Sequence, residues 1–161
     1  MKYSKAKQLQ VRKVKKVIRR DLITPDSYEG KFTKYGKPKL LPHNKLLKKA
    51  QAVFNAWIRR RDAKQGCYAK ELNTCKGSFC ACHLFGVGKS AVRFDEVNVN
   101  GGCAYHNQIH DHTMRPQPQI YTAWFIKEYG SDMYLDLVDR SKMTKKWTRE
   151  ELINIIKKYS L

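Results

Sequence analysis

The sequence predicts an α+β domain: a ββα core stapled by a metal ion and flanked by several α-helices. Three observations predict it. Apolar residues recur at helical spacing between residues 45 and 62 and again after residue 119. Between those stretches, residues 66–113 lose the helical period and collect all five cysteines, most glycines and every histidine except His43. The length, 161 residues, suits one domain with an appendage.

The appendage comes first. Residues 1–20 hold nine basic side chains and no acidic one. Val11, Val14, Val17 and Ile18 recur among them at helical spacing, which predicts a basic amphipathic helix that firms up on a polyanion, with a solvated tail as the alternative. Thr24-Pro25-Asp26, Gly30, Gly36-Lys37-Pro38 and Pro42 punctuate a linker over residues 21–43. Residues 1–43 therefore read as arm and linker, and residues 44–161 as the folded domain.

The domain opens on its clearest helix, residues 45–62. Leu46, Leu47, Ala50, Val53, Phe54, Trp57 and Ile58 form one apolar stripe, and Asn44 is placed to cap it. Short strands are expected around 79–85 and 92–99, with Gly86-Val87-Gly88 between them, and a short helix near Cys103. Pro116 and Pro118 precede a helix at 119–129 that Gly130 ends. A further helix is expected at 132–140. The last helix carries Thr148 and Glu151 at capping-box spacing and buries Leu152, Ile155, Ile156 and Tyr159.

Charge narrows the function. There are 33 Lys and Arg against 14 Asp and Glu, a formal +19. Residues 1–40 hold 13 basic and 3 acidic side chains, half of that excess in a quarter of the length. Such an imbalance repels itself in a compact state and calls for a polyanion, with nucleic acid first. Arg59, Arg60, Arg61, Lys89 and Arg93 are the expected phosphate contacts. No apolar run approaches the ~20 residues of a membrane span, and the basic start lacks the apolar block of a signal peptide, so an intracellular protein with no membrane role is expected.

Chemistry is concentrated in three short runs: Cys80-Ala81-Cys82-His83-Leu84-Phe85, Arg93-Phe94-Asp95-Glu96-Val97-Asn98 and Cys103-Ala104-Tyr105-His106-Asn107. A His near a strand end, an Asn in the next turn and an Asn opening a helix resemble the order of an HNH, or ββα-metal, nuclease. Phosphodiester hydrolysis needs a base for water, and the imidazole of His83 suits that role. It also needs a divalent cation at the developing charge. Mg²⁺ or Mn²⁺ takes oxygen ligands and keeps several waters, so Asn107 is the expected ligand. Asn98 is expected to brace the loop that aims His83. His110 and His112 are candidates for metal or phosphate, or simply exposed.

The cysteines suggest a second, structural metal. Four of the five fall within sixteen residues. Cys103-x-x-His106 has the spacing of half a Zn²⁺ site. Cys67 and Cys75 are the expected other half, because Thr74-Cys75-Lys76-Gly77 reads like a zinc knuckle; Cys80 is the alternative. Reduced structural thiols without zinc are the bland reading.

These runs, together with Lys45-Leu46-Leu47-Lys48-Lys49-Ala50, Trp57-Ile58-Arg59-Arg60-Arg61-Asp62-Ala63, Ala91-Val92-Arg93-Phe94-Asp95-Glu96 and Thr144-Lys145-Lys146-Trp147-Thr148-Arg149-Glu150-Glu151-Leu152, resemble the NinG, or Rap, recombination proteins of lambdoid bacteriophages. The resemblance covers roughly residues 44–161 and leaves residues 1–40 outside. It implies a structure-specific endodeoxyribonuclease acting on branched DNA, such as Holliday junctions and D-loops, in the cytoplasm of the infected bacterial host. A junction needs two cuts, so a homodimer is a candidate partner, although no dimer seam is legible. Three departures stand out. Cys80-Ala81-Cys82-His83 replaces the family's Asp-Ala-Gly-His, so the acidic residue is missing, His106 replaces the second Cys of the last pair, and the first Cys pair is stretched. Asp95, Glu96, Asp111 or the late histidines are the candidates to supply the missing ligand. The alternative function is a nucleic-acid-binding protein that keeps an HNH scaffold and no longer cuts.

Overall fold

The computed structural model describes residues 28–32, 34, 38–111 and 118–160. The basic arm, Arg115, Pro116 and His112 lie outside the described residues, as do the side chains of His110 and Asp111. The order is β1 (Tyr28–Phe32), β2 (Pro38–Leu40), α1 (His43–Arg61), β3 (Phe79–His83), β4 (Val99–Cys103), α2 (Ala104–Asp111), α3 (Pro118–Tyr129), α4 (Ser131–Lys142) and α5 (Arg149–Tyr159). Short 3₁₀ turns occupy Lys70–Leu72 and Ser90–Val92. This is a mixed α+β chain. Among the described residues no helix is long and apolar enough to cross a membrane.

The linker reading is corrected at one point. Within residues 21–43, β1 and β2 pair antiparallel, with Tyr28 opposite Leu40 and Phe32 opposite Pro38. Pro38 sits at the first position of its strand, where a missing N–H is tolerated.

Helix α1 follows the expected stripe. Leu46, Ala50, Phe54 and Ile58 are completely buried at i, i+4 spacing, and Leu47, Val53 and Trp57 flank them half-buried. Each large side chain of that row contributes roughly 1.5–3 kcal/mol by leaving water. The stripe packs on α5, where Leu152, Ile153, Ile156 and Tyr159 complete the same core with Phe94 and Val99. The start of α1 differs from expectation. Pro42, not Asn44, is the cap residue, its carbonyl accepts from Leu46 N–H at 3.0 Å, and Asn44 lies inside the first turn.

The α5 start is as expected: Thr148 Oγ1 accepts from Glu151 N–H at 3.2 Å, and Glu151 Oε2 accepts from Thr148 N–H at 2.8 Å. Gly130, at φ +87°, turns the chain between α3 and α4 and donates to Ile126 O.

Strand β3 runs antiparallel to β4 in regular register, Phe79 opposite Cys103 through His83 opposite Val99. The pair separates two cores. Ala81 packs toward the α1/α5 core, whereas its neighbour Cys82 joins Tyr68, Leu84, Val92, Tyr121, Phe125 and Leu137 in the second. The expected strand at 92–99 is corrected to Val99–Cys103. Residues 93–98 turn instead, because Asp95 Oδ1 accepts from the Val97 and Asn98 N–H groups at 2.9 and 3.4 Å and its other oxygen is held by Arg140. Two glycines let β4 come close to its neighbours. A Cβ on Gly101 would lie 2.3 Å from Phe79 Cζ, and one on Gly102 would lie 2.7 Å from Tyr68 Cε1.

The α1 terminus is anchored by a buried carboxylate. Asp62 Oδ2 accepts from Gly101 N–H at 2.7 Å and both its oxygens meet Arg61. Arg61 also donates to Glu96 O, Val99 O and Asn100 Oδ1 and lies 5.2 Å over the Trp57 ring. Its guanidinium therefore joins α1 to β4 at the edge of the fold, partly open to solvent. The Arg61 pKa is raised: burial opposes the shift, and the Asp62 carboxylate outweighs it.

Candidate metal centre and active-site cleft

Four side chains from three separate segments meet at one point. Cys67 follows α1, Cys75 lies in the loop after the first 3₁₀ turn, Cys103 ends β4 and His106 stands in the first turn of α2. Their potential ligand atoms all lie within 4.8 Å of one another. His106 Nδ1 is 3.3 Å from Cys67 Sγ, 3.7 Å from Cys75 Sγ and 3.2 Å from Cys103 Sγ. A tetrahedral zinc ion with bonds of about 2.3 Å to S and 2.0 Å to N puts its ligand atoms roughly 3.5–3.8 Å apart. The cluster has those dimensions and could hold a metal such as zinc. Cys67, Cys103 and His106 are buried, and Cys75 closes the group from the surface. These are the four residues expected from the sequence; Cys80, the alternative, lies in β3 and donates to Ser78 O.

The surroundings suit an ion with closed protein coordination. His106 Nε2 meets Thr74 Oγ1 at 3.0 Å, which leaves Nδ1 as the ligand nitrogen. Burial lowers the His106 pKa and favours the neutral, ligating form. Cys67 Sγ accepts from the Ala69 and Cys103 N–H groups at 3.4 and 3.3 Å. The Cys103 thiol pKa is lowered: burial opposes the shift, and the His106 and Lys76 backbone groups and the Cys67 and Cys75 thiols overcome it. Cys75 moves the other way, to about 12, through burial and the crowding of Cys67 and Cys103. Three thiols at this separation cannot all ionise without a cation between them.

The second site adjoins the first along α2. His83, the last residue of β3, and Asn107, immediately after His106, line one cleft of about 430 Å³ together with Asn55, Ala81, Leu84, Gly86 and Val87. His83 Nε2 lies 3.2 Å from Arg93 O. A carbonyl only accepts, so the proton is on Nε2 and the basic lone pair belongs to Nδ1. Asn98 is completely buried behind this loop. Its Oδ1 accepts from Phe85 N–H at 2.8 Å, and its Nδ2 donates to Phe85 O and Val92 O, each at 2.9 Å. The amide thus clamps both ends of the segment after His83. Asn98→Ala leaves three backbone groups without partners and is expected to cost about 3 kcal/mol of stability, read as a shift in urea midpoint at constant slope. An unchanged midpoint would contradict the bracing role.

Other expected residues are distributed differently. Asp95 and Glu96 do not line the cleft: Asp95 is bound by Arg140 and the turn it stabilises, and Glu96 by Lys158 at 2.8 Å and Tyr159 at 2.7 Å. Lys158 and Tyr159, with a smaller opposing effect of burial, pull the Glu96 carboxyl below its ordinary value. Among the described residues no carboxylate lines the cleft. Arg59, Arg60 and Lys89 are exposed, with Arg60 reaching Tyr159 O at 3.2 Å. Arg61 joins α1 to β4 as described, and Arg93 is half-buried against Gln51 Oε1 at 2.7 Å, its pKa lowered by burial. Sequence reasoning missed Asn55, Gln51 and Thr74. The first two lie four residues apart on α1, beside the apolar stripe, which was the available signal.

The description of one protein family, the bacteriophage lambda NinG protein, matches this chain from residue 1 to residue 161. The match includes the basic arm that the resemblance in the sequence had left outside. Neither the curated proteins nor the solved structures give a match. With the family match spanning its whole length, the chain belongs to the bacteriophage lambda NinG protein family.

Proposed function

We propose that the chain is a metal-dependent endonuclease acting on branched DNA intermediates of phage recombination. The observation that carries the reading is the pairing of His83 and Asn107 across one cleft, with the imidazole tautomer set by Arg93 O. His83 Nδ1 accepts a proton from a water placed in line with a backbone phosphate. Asn98 fixes the loop that aims the ring. Asn107 offers an amide oxygen to Mg²⁺ or Mn²⁺, whose remaining positions suit waters and phosphate oxygens. When bound, that cation supplies charge for the pentavalent phosphate and the leaving oxygen. The Cys67, Cys75, Cys103 and His106 group takes a structural Zn²⁺. Arg59, Arg60, Lys89 and the basic arm contact phosphates, which positions DNA without reading its sequence.

The test is cleavage of four-way junction, D-loop and linear DNA in Mg²⁺ and in Mn²⁺. Nicking of the branched substrates first is the expected result. No nicking of any substrate by the wild-type protein sinks the nuclease reading. A second reading then stands, a non-cutting DNA-binding protein, and a cleft with no carboxylate among its described lining residues favours it. Both readings share one expectation. DNA affinity falls steeply with salt, by about 10³-fold or more between 50 and 200 mM if some six phosphates are neutralised. A flat salt response assigns the charge to another partner.

A further inference from the structure

Three side chains connect one wall of the cleft to the residue that holds its base. Arg93 Nε donates to Gln51 Oε1 at 2.7 Å, and Gln51 Nε2 donates to Asn55 Oδ1 at 2.8 Å. The direction of this chain is fixed from one end. A guanidinium carries donors only, so the Gln51 atom that meets it is the oxygen. The atom Gln51 turns to Asn55 is therefore its nitrogen, and Asn55 must accept through Oδ1. What Asn55 has left is one oxygen lone pair and its whole NH₂ group.

Asn55 lines the same cleft as His83 and Asn107. A cation there would have to share the amide oxygen with the Gln51 N–H, which uses one of its two lone pairs. An anionic oxygen needs amide hydrogens, which Asn55 retains. We propose that Asn55 is a phosphate-binding residue, its Nδ2 hydrogens holding a non-bridging oxygen of the DNA phosphate that enters the cleft. Gln51 and Arg93 are positioning residues that keep the amide turned this way. Arg93 then serves both walls: its carbonyl sets the His83 tautomer, and its guanidinium sets the orientation of the Asn55 amide. The two cleft asparagines have opposite duties, with Asn107 giving an oxygen to a cation and Asn55 giving hydrogens to an anion.

That the phosphate is the one cut rests on the nuclease reading; that Asn55 binds it does not. Two substitutions separate hydrogen donation from bulk. Asn55→Asp keeps the shape, removes the hydrogens and adds a negative charge, whereas Asn55→Ala removes the group. Equilibrium binding to junction DNA, measured without added divalent cation at fixed salt, is expected to weaken about 5-fold in Asn55→Ala and about 30-fold or more in Asn55→Asp. Arg93→Lys keeps the backbone carbonyl and the charge but loses the Nε–H, and is expected to match Asn55→Ala. The second measurement is single-turnover cleavage of DNA with a phosphorothioate at the cut. The wild-type protein should discriminate against one sulfur diastereomer in Mn²⁺, and Asn55→Ala should lose that discrimination. A merely structural asparagine would alter melting and leave the diastereomer ratio intact. Wild-type affinity in both Asn55 variants overturns the inference. Failure of the wild-type protein to cut overturns the nuclease reading instead, and the binding measurements still decide Asn55.

Discussion

His83→Ala is expected to cut DNA about 10²–10⁴-fold more slowly than the wild-type protein, the range a positioned general base contributes. The loss should fall on the chemical step. His83 is half-buried at the strand end, its ring meets Arg93 O, and it belongs to neither core, so its removal leaves both cores intact. DNA affinity and thermal midpoint should therefore stay near their wild-type values while single-turnover cleavage collapses. His83→Gln sharpens the test, since its side chain can still reach Arg93 O but offers no base. Equal cleavage by wild type and His83→Ala would mean that another group, or a contaminating nuclease, does the cutting.

The second large effect concerns the cysteine–histidine cluster. Metal analysis of pure protein is expected to return one zinc per chain, and stripping it with a chelator at neutral pH should lower the thermal midpoint by roughly 10 °C or more. Cys103→Ser and Cys67→Ser should do the same without chelator. The physical reason is the placement of the ligands. Cys67 follows α1, Cys75 lies in the loop beyond it, and Cys103 and His106 flank the junction of β4 and α2, so one ion would tie three separate stretches of chain. Cysteine and histidine ligands bind deprotonated, so acid releases the ion and stability falls with falling pH. Protein that carries no zinc and melts unchanged after chelation would remove the structural site. Cys82→Ala is the control: its thiol is buried in the second core, and burial raises its pKa, so it should affect packing and not metal content.

Legibility in the sequence followed the strength of the local signal. Helices α1 and α5 were plain because their apolar residues repeat with the helix and the Thr148–Glu151 box marks a start. The cluster of Cys67, Cys75, Cys103 and His106, which could hold a metal such as zinc, was legible from Cys103-x-x-His106 plus two more cysteines upstream, and the order of His83, Asn98 and Asn107 singled those three out. Strand β4 was not. Val92 to Asp95 has the alternation of a strand, yet Asp95 and Asn98 bind nearby backbone groups and bend the segment into turns. The true strand, Val99–Cys103, holds two glycines and looks weak in isolation, because its fitness depends on Phe79, Tyr68 and Asp62 pressing against it. Arg61 shows a similar limit. It follows Arg59 and Arg60 and reads as a third phosphate contact, yet four residues after Trp57 its guanidinium also meets that ring and Val99 O, which the sequence does not announce. The Arg93–Gln51–Asn55 chain joins residues about forty positions apart, and nothing local announces it.

His106 and Asn107 are neighbours in one short helix; one belongs to the cysteine–histidine cluster, the other lines the cleft, and in the proposed mechanism they answer to different ions. One ion would set the pose of the turn; the other would use it. A freshly made chain that has not yet acquired zinc would lack both a stable α2 and a correctly aimed Asn107. Nicking activity should thus appear with the pace of zinc loading, not with the pace of synthesis, so that a zinc-starved cell would accumulate a silent protein whose chemistry is switched on by nutrition.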